Sequence, residues 1–276
     1  MMKTPELLAP AGSLNMLQTA FHYGADAIYA GQPRYSLRVR NNDFGKMEVL
    51  KEGIDTAHKL GKKFYLVSNV LPHGGKTRTY INDMSPVIDL KPDALIMSDP
   101  GLIMMAREAW PDMPIHLSVQ ANTVNGASAK FWRSVGISRV ILSRELSFDE
   151  IEEVRQDCPE MELEVFVHGA LCMAYSGRCL LSGYMSHRDP NQGACTNACR
   201  WDYKVLPAEE AASGDVFLLE ESGKPGELMP IEEDEHGTYI MNSKDLRAIE
   251  HIERLTKMGV DSFKIEGRTK SPYYVA

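Results

Sequence analysis

The sequence predicts a closed barrel of eight alternating β-strands and α-helices, a TIM-like (β/α)8 fold. The chain has 276 residues, 43% of them hydrophobic, and an α/β barrel uses about 250 residues as one domain. Short β-rich apolar runs alternate with helical patterns, which implies right-handed crossovers and a parallel sheet. An open, doubly wound sheet is the alternative, but residues 9–13 after the first strand lack the G-x-G-x-x-G fingerprint of that fold.

Eight apolar runs are predicted as the barrel strands. They are residues 6–8, 27–30, 63–68, 94–98, 115–119, 139–143, 163–167 and 262–265. The helices between them carry capping signals: Ser13 precedes the first helix, which Gly24 ends. Ser147 and Glu150 form a capping-box pattern, and Ser243 precedes the helix before the last strand. Strand and helix signals therefore alternate along the whole chain.

The seventh connection departs from this regular pattern. It runs over residues 169–242, where two to six residues are usual, and we interpret it as a cysteine-containing loop followed by a mobile acidic flap. Between residues 207 and 237 lie ten acidic residues and one lysine, so the rest of the chain is close to neutral and neither demands nor excludes RNA. The chain stops at residues 271–276, where an eighth helix would begin. We therefore expect a single barrel domain over residues 1–276 without its last helix, taken from a longer protein.

The sequence also predicts a cytoplasmic protein without a membrane span. It has no run of about 18 uncharged apolar residues, and its first apolar run, which ends at Pro10, is too short for a signal core. Five cysteines in a chain of this size, without a secretory signal, indicate reduced thiols. Clustered cysteines are then better interpreted as metal ligands than as disulfides.

Four of the cysteines predict an iron–sulfur cluster in the long loop. Cys172, Cys179, Cys195 and Cys199 follow the pattern C-x6-C-x15-C-x3-C, and the surrounding glycines favour a backbone that turns its N–H groups towards the sulfurs. Zinc is an alternative, although only the second pair has the close spacing of a structural zinc site. Unrelated buried or catalytic thiols are another. Cys158 is expected to be structural.

Polar residues follow the predicted strands at their carboxyl ends, where a barrel keeps its functional site. They are Arg38, Arg40, Asn69, Asp99, Gln120, Arg144, Glu145, His168, Lys264, Glu266 and Arg268. So many cations around one mouth suit an anionic substrate, a carboxylate or a phosphate. Structural roles compete: Asp99 suits a helix cap, and His168 suits a structural histidine. Arg144 and Glu145 suit a mutual ion pair or a cap of the sixth helix. No familiar hydrolase motif is present.

Four segments resemble the collagenase-like peptidase U family. They are PELLAPAG at residues 5–12, YGADAIYAG at 23–31, FVHGALC with YSGRC across 166–179, and KIEGR at 264–268. The likeness extends over essentially the whole chain, and the His-Gly-Ala-Leu-Cys block is highly specific. Residues 32–40 and 239–246 are most similar to a tRNA-modifying branch of that family.

The resemblance implies oxygen-independent hydroxylation of the wobble uridine of tRNA to 5-hydroxyuridine. It further implies a [4Fe–4S] cluster on the four loop cysteines and prephenate as the oxygen donor, so tRNA and prephenate are the expected partners. The family name keeps a peptidase as an alternative, possibly metal-dependent. A non-catalytic cluster or zinc subunit, with the acidic flap as its docking surface, is a third possibility.

Individual roles follow from that expectation. The arginines suit the two carboxylates of prephenate, His168 or Glu145 suit proton transfer, and Tyr175 or Trp201 suit stacking of an unstacked uridine. The predicted substrate-binding residues are Arg38, Arg40, Asn69, Gln120, Arg144, Tyr175, Lys264, Glu266 and Arg268.

Overall fold

The computed structural model describes most of the chain. The described residues are 3–32, 34–37, 42–207, 217–221, 225–226, 228–231, 233–234, 237–238, 245–267 and 271–276. The strands are β1 Glu6–Pro10, β2 Ala27–Gly31, β3 Lys63–Ser68, β4 Ala94–Met97, β5 Ile115–Leu117, β6 Arg139–Ile141, β7 Glu162–Ala170, β8 Tyr203–Pro207, β9 Phe217–Glu221, β10 Leu228–Ile231, β11 Glu233–Asp234, β12 Gly237–Thr238, β13 Asp245–Arg247 and β14 Ser262–Ile265.

Eight of these strands form a closed parallel barrel, as predicted. They pair in the order β14, β1, β2, β3, β4, β5, β6 and β7, and β7 also pairs with β14, which closes the barrel. Strand β13 adds to β7 in the antiparallel direction. The predicted doubly wound alternative is therefore wrong, because an open sheet would leave two unpaired edges.

Helices alternate with the strands, and those outside the cysteine loop cover the barrel. They are α1 Leu14–His22, α2 Met47–Lys59, α3 Gly74–Ile88, α4 Pro100–Ala109, α5 Gly126–Ser134, α6 Phe148–Asp157, α7 Leu181–Ser186, α8 Ile252–Met258 and α9 Pro272–Val275. Within the described ranges, no helix has the length and apolar character needed to cross a membrane.

Local capping signals in the sequence are confirmed at three helices. The Ser13 hydroxyl accepts a hydrogen bond from the Met16 amide at 3.2 Å, and Ser147 with Glu150 forms the complete capping box. Asp99 accepts from the Leu102 amide at 2.8 Å, so it caps α4, as its structural alternative predicted. Ser243 lies outside the described residues, but the helix predicted to follow it is wrong there, since strand β13 occupies Asp245–Arg247 and α8 begins at Ile252.

The core has two parts that the barrel wall separates. Inside the barrel, the side chains of Leu8, Tyr29, Val67, Ile96 and Phe166 belong to one buried cluster. A larger cluster fills the space between the barrel and its helices. Successive side chains of a strand point to opposite faces of the sheet, so alternate residues contribute to the cluster inside the barrel and to the cluster under the helices.

The long connection after β7 contains structure of its own. After α7, strands β8, β9 and β10 form an antiparallel sheet, and β11 pairs with β12. The described parts of the predicted acidic flap thus contain paired strands, and its mobility stays a prediction. After β14, the four-residue helix α9 stands where the eighth helix was expected to begin.

Candidate active site at the carboxyl end of the barrel

A cavity of about 350 Å³ opens at the carboxyl ends of the barrel strands. Its floor consists of apolar side chains from inside the barrel, and its wall consists of polar residues that follow the strands. The cysteine loop forms its roof. The polar and charged side chains of the floor and wall include Asn69, Ser118, Gln120, Arg144, Lys264 and Glu266.

All four loop cysteines line this one cavity, although they span 28 positions of the chain. Cys172 and Cys195 are exposed, and Cys179 and Cys199 are half-buried. Burial raises the pKa of the Cys199 thiol, and the nearby Cys172 and Cys195 raise that pKa further. The sulfurs of Cys172 and Cys195 therefore lie close enough to Cys199 to act on its thiol electrostatically.

Hydrogen bonds hold the first half of the cysteine loop on the strand ends. Asn122 donates from Nδ2 to the Ser176 carbonyl at 3.1 Å, and it does so from a left-handed backbone conformation. Gly177 has a φ of +74°, and a Cβ there would lie 3.2 Å from the Gln120 side chain. A larger residue at position 177 would push the loop away from the wall.

The second half of the loop has its own attachments. Asn191 Nδ2 donates to the Cys179 carbonyl at 3.0 Å, which ties the two cysteine pairs together. Gly193, at a φ of +92°, packs so that a Cβ would lie 3.1 Å from the Leu37 carbonyl oxygen. Both pairs of cysteines are thus positioned by contacts with the barrel rather than by the loop alone.

The donor chemistry of the roof fits an iron–sulfur cluster. Cys195 Sγ accepts a hydrogen bond from the Asn197 amide at 3.4 Å, and the Ser182 hydroxyl lies 3.8 Å from the same sulfur. Such donors stabilise cluster thiolates. Four thiolates that line one cavity are the ligand set of a [4Fe–4S] cluster, and a set of four cysteines is also one that structural zinc takes.

Arg144 is fixed in the wall by three contacts. Its Nη1 donates to the Ala170 carbonyl at 3.1 Å, and its Nη2 lies 3.4 Å from Glu266 Oε2. The guanidinium carbon lies 3.9 Å from the centre of the Phe166 ring. Arg144 therefore pairs with Glu266 and not with its neighbour Glu145, so that structural alternative is wrong.

Two of the predicted site residues, Asn69 and Gln120, form a hydrogen bond between their side-chain amides in the cavity wall. Asn69 donates from Nδ2 to Gln120 Oε1 at 2.9 Å and to the Ser118 hydroxyl at 3.2 Å. The Oδ1 atom of Asn69 accepts from the Leu37 amide at 3.1 Å. Because each amide restrains the other, this wall presents a fixed polar surface to the cavity.

A buried ionic network supports the floor. Lys264 donates from Nζ to Glu164 Oε1 at 2.7 Å, and its ammonium lies 4.3 Å from the centre of the Tyr29 ring. Arg139 donates to Glu164 Oε2 at 3.2 Å and to Glu6 Oε1 at 2.6 Å. Burial alone would raise the pKa of Glu164, but Lys264 and Arg139 outweigh that effect and lower it.

The sequence reasoning missed Glu164 and Arg139. A signal was available, because Glu162 and Glu164 alternate with apolar residues in a strand that should face the barrel interior on one side. Charged residues at inward positions of a parallel strand indicate an interior ion network, since a lone buried charge would be too costly.

The structure places some of the predicted site residues away from the cavity. Glu145 is exposed, and it is not among the described residues that line the cavity; nor is His168. A register shift between β7 and β14 breaks the strand alternation beside His168, whose ring packs 5.5 Å from that of Tyr274. Trp201 also lies outside the lining and donates to the Thr196 carbonyl at 3.2 Å.

Tyr175 is the predicted stacking residue that does line the cavity, with 47% of its surface exposed at the mouth. Arg38, Arg40 and Arg268 lie outside the described residues. Of the four arginines predicted to bind prephenate, the structure therefore describes Arg144 alone. The predicted roles in proton transfer and base stacking stay predictions.

Gly169 allows β7 and β14 to approach where the wall is built. Its φ is +113°, and a Cβ there would lie 2.5 Å from the Glu266 carbonyl oxygen and 2.8 Å from Glu266 Cβ. We expect Gly169→Ala to lower the unfolding free energy by more than the roughly 1 to 3 kcal/mol that a strained backbone conformation costs, because Glu266 must also move. Thermal unfolding of both proteins measures this.

Gly24→Ala is the matched control for that substitution. Gly24 has a similar φ of +101°, but an added Cβ would meet nothing within 4 Å. Its loss of stability should therefore reflect the backbone conformation alone. Equal losses for the two variants would contradict the close approach of Gly169 and Glu266.

Comparison with known proteins gives a consistent family assignment. The model of "Peptidase family U32" matches residues 12–276. The tRNA hydroxylation protein P of Escherichia coli K12 is 62% identical over 297 residues, covering 99% of this chain and 65% of that protein. The protein of the same name from Haemophilus influenzae is 62% identical over 300 residues, with the same shares covered. The chain thus spans 65% of the length of each of these relatives.

A solved structure shares the fold. The U32 peptidase Mk0906 aligns with a TM-score of 0.59 at 13% identity, covering 97% of this chain and 95% of that one. At such low identity the likeness concerns the fold alone. It agrees with the closed barrel described above.

Proposed function

This chain belongs to peptidase family U32, and we propose that it is the catalytic barrel of a tRNA hydroxylase that converts the wobble uridine to 5-hydroxyuridine without O2. The observation that carries the proposal is the single cavity lined by four thiols, two arginines and a lysine. The choice of tRNA as the substrate is supported by two relatives that are 62% identical, both called tRNA hydroxylation protein P. Such an enzyme would act in the cytoplasm, where tRNA is modified.

The proposed cofactor is a [4Fe–4S] cluster held by Cys172, Cys179, Cys195 and Cys199. When bound, the cluster supplies the electron-transfer chemistry that this hydroxylation requires. The reaction turns the C5–H bond of uridine into C5–OH, a two-electron oxidation. Prephenate is the proposed donor of the oxygen atom and the acceptor of the two electrons.

The described residues have binding roles in this scheme. Lys264 at the floor and Arg144 in the wall attract the carboxylates of prephenate, because both cations are buried and held in fixed positions. The joined amides of Asn69 and Gln120 orient polar groups of the substrates. Tyr175 at the mouth offers a ring on which the extruded uracil can stack.

The direct test uses the protein purified without oxygen. We expect broad visible absorption and about four irons per chain. We also expect 5-hydroxyuridine, detected by mass spectrometry of digested tRNA, only when prephenate is added. A protein that contained zinc and no iron would contradict the proposed mechanism, which depends on an iron–sulfur cluster. Hydrolysis of a protein substrate by the purified enzyme without cluster or prephenate would favour the peptidase alternative instead.

Arg144→Ala should raise the KM for prephenate about 10-fold to 150-fold, because a hydrogen bond to a charged group contributes about 1.5 to 3 kcal/mol. Steady-state kinetics at saturating tRNA measure the change. Arg133→Ala is the control, since Arg133 is half-exposed on α5 and far from the cavity lining. An unchanged KM for Arg144→Ala would show that Arg144 does not bind prephenate.

A further inference from the structure

Large apolar side chains are unusually exposed on the cysteine loop. Leu180 and Tyr184 are 77% and 75% exposed, and Met173 and Tyr175 are 43% and 47% exposed. Exposure of several such residues in one short segment indicates a surface that another molecule covers.

Helix α7 points two of these side chains outwards. Leu180 and Tyr184 are four residues apart and so lie on one side of the helical turn. Ser182, between them, is buried, and its hydroxyl accepts from the Thr196 amide at 3.1 Å and lies 3.8 Å from Cys195 Sγ. The side of α7 that carries Ser182 therefore packs beside Cys195, whereas Leu180 and Tyr184 are exposed.

The same loop is locally basic in an acidic chain. Residues 171–200 contain three arginines and one aspartate, whereas the whole chain carries a net charge of −8. Arg178 and Arg188 are exposed beside the apolar residues. Exposed aromatic rings interleaved with arginines suit a single-stranded nucleic acid, because its bases stack on the rings and its phosphates contact the cations.

The surface is continuous with the mouth of the cavity. Met173 and Tyr175 line the cavity and are also exposed. Leu180 directly follows Cys179, which lines it too. A strand of RNA that places one base in the cavity would therefore have its neighbouring nucleotides over this surface.

We propose that the cysteine-loop face, formed by Met173, Tyr175, Arg178, Leu180, Tyr184 and Arg188, binds the unpaired nucleotides that flank the target uridine. This proposal rests on the proposed function, since it names the surface that would hold the RNA substrate. Bases stack on Tyr184 and on Leu180, and the two arginines contact phosphates. The loop would thus combine two tasks, holding the cluster from its inner side and the RNA from its outer side.

The test is binding of a fluorescently labelled anticodon stem-loop to the protein, measured by anisotropy. Loss of one base stack costs about 1 to 3 kcal/mol, so Tyr184→Ala should weaken binding about 5-fold to 150-fold, and Tyr184→Phe should restore it. Arg188→Ala should reduce the slope of log affinity against log salt by about one. A fully base-paired RNA of the same length should bind more weakly than the stem-loop.

Tyr23→Ala is the matched control. Tyr23 is 62% exposed at the end of α1, which lies at the opposite end of the barrel from the cavity. Iron content and thermal unfolding show that each variant is folded. If Tyr184→Ala bound the stem-loop as tightly as the wild type while the wild type hydroxylated tRNA, the surface would be wrongly assigned and the proposed function would stand. Tight binding of a protein in place of RNA by this face would also overturn the assignment.

Discussion

Glu164→Gln is expected to lower the free energy of unfolding by about 3 to 5 kcal/mol, the usual effect of removing one partner from a buried ion pair. Glu164 is completely buried, and its two oxygens accept from Lys264 and Arg139 at 2.7 and 3.2 Å. Glutamine has almost the same shape, so the loss would come from the charge. Urea unfolding of the cluster-free protein measures it.

The same network predicts a pH dependence. The folded-state pKa of Glu164 is lowered from the ordinary glutamate value of 4.5. Its contribution to stability is therefore complete above that ordinary value and is lost as the pH falls through the lower folded pKa. The difference in stability between wild type and Glu164→Gln should shrink correspondingly in acid.

Glu162→Gln is the control for the interior charge. Glu162 also pairs with Arg139, at 2.8 Å, but its side chain is 40% exposed. Water solvates the charges of such an exposed pair when it is broken. We therefore expect Glu162→Gln to lower the free energy of unfolding by less than about 1 kcal/mol. Similar losses for both variants would show that burial of Glu164 is not what makes its charge important.

Cys179→Ser is expected to remove most of the bound iron and, with it, tRNA hydroxylation. Cys179 lines the cavity, and its carbonyl accepts the Asn191 hydrogen bond that links the two halves of the loop. Serine keeps the size of the side chain but replaces the thiolate that iron–sulfur clusters require. Iron and sulfide analysis, visible absorption and the tRNA assay measure the loss.

Cys158→Ser provides the comparison within the same chain. Cys158 is 1% exposed at the end of α6 and belongs to the core between barrel and helices. That substitution should cost stability but leave the iron content unchanged. A Cys179→Ser protein with its full iron complement would remove Cys179 from the proposed ligands. Serine variants at the other three loop cysteines extend the same comparison.

The fold was predictable because its signals are local. Each strand is a short apolar run, and caps such as Ser13 and Ser147 act within one helical turn. Eight such units leave few ways to close a parallel sheet. The four cysteines were also recognisable from spacing, and the structure places all of them at one cavity.

Other features depend on residues that only the folded chain brings together. Arg144 meets Glu266 across 122 positions, and Arg139 meets Glu6 across 133. Neither pairing can be inferred from periodicity, because it depends on which side chains share a layer of the closed barrel. The direction of His168 likewise depends on a register shift between two strands.

The sequence by itself therefore determined the type of fold, the order of its units and the residues that could hold a cluster. Tertiary structure decided which polar residues face the cavity and which charges neutralise one another beneath it. The physical reason is that local propensities act over a few residues, whereas the walls of a barrel site come from strands far apart in the chain.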